Sequence, residues 1–103
     1  MQLNNRQKRF LKGKAHALAP AVTVGNRGLA ESVKSEIEGA LARHELIKVK
    51  IPAGAKADRQ ALAGQISADV DAKVIALTGR IVILFRISNK KNKSLETQLK
   101  GLG

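Results

Sequence analysis

With no cysteine in the chain, any chemistry must come from its histidines, its carboxylates, or its glycines and cations. A disulfide framework, a thiolate metal site and a cysteine nucleophile are excluded at once. Neither of the two histidines, His16 and His44, has an acid or a nucleophile at a spacing that would make a catalytic pair. His44 falls where a helix should end, and an imidazole there serves the last carbonyls and the helix dipole. Glu36 and Glu38, two apart on a helix, point to different sides and read as a solvated face. No cluster has metal-ligand spacing. The residues therefore predict neither an enzyme nor a cofactor or metal.

The glycines and cations say more. Gly25-Asn26-Arg27-Gly28 stands between a β-branched run and a helical one. Glycines at both ends permit positive φ and close approach by a ligand backbone, and the helix N-terminus that follows offers unpaired N–H groups and partial positive charge to a phosphate. Arg27 adds a direct phosphate contact. The loop lacks the Lys-Ser/Thr of a P-loop and the third glycine of a dinucleotide fingerprint. Two glycines three apart often make only a turn. Between strand and helix, in a chain of net charge +11, the pair reads instead as a phosphate clamp of the kind KH domains use on nucleic-acid backbone.

That charge is segregated. Residues 1 to 28 carry Arg6, Lys8, Arg9, Lys12, Lys14 and Arg27 with no acid, residues 29 to 78 are neutral, and residues 79 to 103 carry six cations against Glu96. Excess at both ends of the chain predicts a polyanionic partner engaged through phosphate neutralisation and counterion release. The two aromatics, Phe10 and Phe85, both lie in apolar patterns and read as core, so base stacking of the RRM kind is disfavoured. A general DNA-binding protein is the alternative that this charge equally allows.

The elements that must position these groups follow from periodicity. Asn4 and Gln7 form a capping-box pattern that opens a helix over 5–18, with Phe10, Leu11, Ala15 and Leu18 apolar and Pro20 as the stop. Ala21 to Val24 is a short strand, and Leu29, Val33, Ile37 and Leu41 step along a second helix. Leu46 to Ile51 alternates, placing Ile47, Val49 and Ile51 on one face and Lys48 and Lys50 on the other. A third helix runs from near Asp58 to before Lys73, and Val74–Leu77 and Ile81–Phe85 form a hairpin whose second, wholly apolar run is a central strand. The order α-β-α-β-α-β-β predicts an α/β fold with a four-stranded mixed sheet. Residues 1–87 make the domain and 88–103 a basic, flexible tail with Leu95, Leu99 and Leu102 hinting at a short helix. No apolar run approaches the roughly 20 residues that cross a bilayer, and the start of the chain lacks a secretory apolar core, so a cytoplasmic location is expected.

Leu3 with Gln7, Leu18-Ala19-Pro20, Gly25-Asn26-Arg27-Gly28-Leu29, His44-Glu45-Leu46-Ile47-Lys48-Val49-Lys50 and Leu84-Phe85-Arg86 together resemble bacterial CRM-domain proteins of the YhbY type over residues 3 to 87. The resemblance implies a two-layer α/β sandwich similar to the C-terminal domain of bacterial translation initiation factor three. It also implies RNA binding and, for stand-alone bacterial members, association with precursors of the large ribosomal subunit during assembly. Matched onto this sequence, the RNA surface would be Gly25, Asn26, Arg27 and Gly28 with the basic first helix, Arg6, Lys8, Arg9, Lys12 and Lys14, extended by Arg86. Asn4 replaces a frequent Thr or Ser, which still caps a helix, and Phe85 replaces a frequent Tyr. A monomer without a small-molecule substrate is expected.

Overall fold

A computed structural model describes residues 2–88 and 94–102. Its elements are α1 (Asn5–Ala15), β1 (Pro20–Thr23), α2 (Glu31–His44), β2 (Leu46–Lys50), α3 (Lys56–Val70), β3 (Lys73–Thr78), β4 (Ile81–Phe85) and α4 (Ser94–Lys100). The strands form one mixed sheet in the order β1-β2-β4-β3, with β1 parallel to β2 and the other pairs antiparallel. β4 is central, as its unbroken apolar run requires.

The alternation in β2 decides which side each layer occupies. Ile47, Val49 and Ile51 join Val22, Val24, Val82 and Leu84 beneath α2 and α3, whose Ile37, Leu41, Ile66 and Val70 complete this main core. Leu46, Ile83 and Phe85 face the other way, onto Leu11 and Ala15 of α1 and Leu95 and Leu99 of α4.

The first helix stops three residues earlier than its apolar spacing predicts. The His16 N–H bonds to the Gly13 carbonyl and the Leu18 N–H to that of Ala15, a tightening last turn. Pro20 biases Ala19 toward extended backbone and then opens edge strand β1, where its missing N–H costs no ladder bond. Leu18 is left 39% exposed. The capping box is present, with the Gln7 N–H donating to Asn4 Oδ1 at 2.8 Å and the Asn4 N–H to Gln7 Oε1 at 2.8 Å. Gln7 is also buried, because its Nε2 donates to the Leu99 carbonyl at 3.0 Å.

That bond bears on the C-terminal segment. Where the sequence predicts a flexible tail, residues 94–100 form a helix with Leu99 fully buried and Leu95 nearly so. Two leucines four apart make one apolar face, and the sheet supplies the surface that covers it. Residues 89–93 of the predicted tail lie outside the described residues.

Candidate nucleic-acid interface

The loop Gly25–Gly28 leaves the C-terminal end of β1 and leads into α2. It closes as a tight turn, with the Gly28 N–H on the Gly25 carbonyl at 3.0 Å and the Ala30 N–H on the Gly28 carbonyl at 3.0 Å. Only Gly28 adopts the left-handed region, at φ 78°, so glycine is required by conformation there and not at Gly25. No heavy atom lies within 4 Å of a Cβ built on either glycine. The space beside Gly25 is therefore open to solvent and to a ligand. Asn26 and Arg27 are exposed at the tip. Ala30 caps α2 without a side-chain bond, which leaves the first N–H groups of the helix unpaired by any capping side chain.

The cations of α1 are all exposed, with Arg6, Arg9 and Lys12 spaced by three along its outer side. Lys8 lies on one flank with Lys73, Val74 and Leu3. Lys14 lies on the other flank beside His44, Leu18 and Ala21, its Nζ 5.7 Å from the centre of the Phe10 ring. Phe85 is buried and Phe10 half-buried, as their apolar surroundings in sequence predict.

The predicted site residues thus fall into two groups joined by β1. Helix α1 feeds the start of that strand, and the glycine loop follows its end. Arg86 belongs to neither group. It lies just past β4, at the end of the sheet remote from the loop, and its guanidinium turns inward. Nη1 contacts Glu38 Oε2 at 3.0 Å and the Val70 carbonyl at 2.7 Å, tying α2 to α3. Arg86 thus acts as a clasp within the helix layer.

Sequence reasoning missed what accompanies the loop. In the register of the sheet, Thr23 pairs with Lys50, Lys50 with Ile81, and Ile81 with Thr78. At that end the Ile51 N–H donates to the Arg80 carbonyl at 2.8 Å, and Arg80 Nε donates to the Ile51 carbonyl at 2.9 Å, fixing the hairpin arginine. Arg59 donates to the carbonyls of Gly54 and Gly79, stapling the β2–α3 loop to the hairpin. Gly79 takes φ 58° at the first position of this two-residue turn, where a type II′ hairpin demands glycine. Arg27, Lys50, Lys56 and Arg80 are therefore exposed cations at one end of the sheet, three of them outside the basic N-terminal segment. The alternation of Lys48 and Lys50 was the available signal.

Glu45 is a second residue whose role is invisible in sequence. It switches α2 directly into β2 at φ 64°, is fully buried, and through Oε2 accepts the Ser88 N–H at 2.7 Å. Among the described residues its Oε1 has no hydrogen-bond partner. This carboxyl group holds the chain leaving β4 and lies away from the loop.

Among the described residues no group of three or more His, Cys, Asp or Glu side chains converges, and no helix is long and apolar enough to cross a membrane.

Comparison with known proteins places this arrangement. The CRS1 / YhbY (CRM) domain matches residues 3–86. A Haemophilus influenzae protein named "RNA-binding protein" is 42% identical over 88 residues, spanning 85% of this chain and 89% of its own length. One from Pseudomonas aeruginosa, named "Probable RNA-binding protein", is 37% identical over 95 residues and covers 92% and 91% of the two chains. The solution structure of a Staphylococcus aureus protein superposes with a TM-score of 0.78 at 30% identity, covering 89% of this chain and 95% of its own. With the four-stranded mixed sheet, the glycine loop between β1 and α2, and a domain match over most of its length, the chain belongs to the CRS1/YhbY (CRM) domain family.

Proposed function

We propose that this chain binds RNA, gripping the phosphate backbone through the Gly25–Gly28 loop and the cations Arg6, Lys8, Arg9, Lys12 and Lys14 of α1. Its target is ribosomal RNA in precursors of the large subunit, whose assembly it assists by binding and not by catalysis. The observation that carries the reading is the loop itself. It presents an open approach at Gly25, an exposed Asn26-Arg27 tip and an α2 N-terminus without a capping side chain, all facing solvent at the end of β1. A phosphate there meets N–H donors, the helix dipole and a guanidinium together. The names of the Haemophilus and Pseudomonas relatives support the choice of RNA as partner.

Sedimentation of a cell extract at moderate salt, with each gradient fraction probed for the protein, tests the ribosomal part. Enrichment just lighter than the mature large subunit is expected. Confinement to the top of the gradient, or to DNA-containing fractions, overturns it. Competition between RNA and DNA of matched sequence tests the polymer, and equal competition would favour a general nucleic-acid binder.

A further inference from the structure

The face of the sheet that carries α1 and α4 is covered at only one end. Burial along it follows the strand register. The row nearest α1 and α4, Leu46 opposite Phe85, is buried. In the next row Lys48 is half-buried opposite a buried Ile83. The last row crosses all four strands as Thr23, Lys50, Ile81 and Thr78, of which only Ile81 is even half-buried. Four strands span about 14 Å, so this row is a strip and not a single side chain. It adjoins the glycine loop, because Thr23 is two residues from Gly25.

Thr23 and Thr78 put a hydroxyl on each outer strand, Ile81 gives one apolar surface near the middle, and Lys50 stands beside it without an ion pair among the described residues. Arg80, anchored by its Nε to the Ile51 carbonyl, sits at the hairpin end of the strip. The acids of this end, Glu31 and Asp58, open α2 and α3 in the layer behind the sheet. What faces solvent across the strip is thus two hydroxyls, two cations and one aliphatic contact. That set fits a sugar-phosphate backbone, with cations and hydroxyls for phosphate and 2′-hydroxyl oxygens and Ile81 for a sugar or base face.

We propose that this uncovered strip, Thr23, Lys50, Ile81 and Thr78 with Arg80, is an RNA-contacting surface continuous with the glycine loop. It seats a single-stranded segment running from the loop toward α1. The inference rests on RNA being the partner and adds the path between the two basic groups.

The test is the affinity of the full chain for labelled fragments of large-subunit ribosomal RNA over a series of salt concentrations. Lys50→Glu is expected to weaken binding about tenfold, and Lys50→Met to lower the salt slope by about 1. Thr78→Glu, on a separate strand, should act in the same direction. Lys100→Glu on α4 alters net charge as much as Lys50→Glu and more than Thr78→Glu, and should stay within about twofold. Circular dichroism verifies that each variant is folded. If Lys50→Glu and Thr78→Glu bind no more weakly than Lys100→Glu while Gly25→Asp still loses affinity, the strip is overturned and the loop stands. If the unaltered chain has no affinity for the RNA, the proposed function itself falls.

Discussion

One face of this sheet has two unlike ends. At the end bearing Leu46 and Phe85, the strands meet α1 and α4 and their side chains are apolar and buried. At the end bearing Thr23, Lys50 and Thr78, the same strands meet no helix among the described residues and carry hydroxyls and charge. The other face shows no such gradient, since α2 and α3 cover Val22, Val24, Ile47, Val49, Ile51, Val82 and Leu84 together. The difference teaches that α1 and α4 close only part of the surface. What they leave open is furnished for a polar ligand, beside the glycine loop.

The largest effect belongs to the covered end. Phe85→Ala should cost about 3–5 kcal/mol through lost burial and a cavity, seen as a lower urea midpoint, while RNA affinity of the folded fraction stays unchanged. Leu99→Ala should cost about 2–5 kcal/mol and release α4, read as faster amide exchange over 94–100. If 94–100 already exchanges freely in the unaltered chain, the two ends do not differ as described. A smaller loss, about 1–3 kcal/mol, is expected for Gln7→Ala, which removes the acceptor for the Asn4 N–H and the bond to the Leu99 carbonyl while leaving the Asn4 side-chain cap on the residue 7 N–H. Arg86→Ala should lower stability by about 1 kcal/mol by undoing the partly exposed Glu38 pair and should leave RNA binding alone. A marked RNA defect there would return Arg86 to the interface. The smallest change is expected for Thr78→Val at the open end, within about 0.5 kcal/mol in stability.

Much of this was legible in the sequence because it is local. The order of helices and strands follows from spacing that a few residues settle, and the loop announces itself between Val24 and Leu29. The central position of β4 is written in its unbroken apolar run. Leu18 misled because it continues the α1 spacing by coincidence, beyond the point where Pro20 controls the backbone. Arg86 looked like any other cation, since Glu38 and the Val70 carbonyl, which engage it, lie 48 and 16 residues away. The open strip was hidden for the same reason. Thr23, Lys50, Ile81 and Thr78 become neighbours only through strand register, and a segment that is neutral in sum places Lys50 and Lys56 at the same end of the sheet as Arg27 and Arg80.

The most direct measurement is to follow backbone amide resonances of the folded chain as a single-stranded ribosomal RNA fragment is titrated in. Shifts concentrated at 23–28, 50 and 78–81, with lesser ones along α1, are the predicted result. Shifts centred on α2 and α3, with the loop and the strip unmoved, would contradict it.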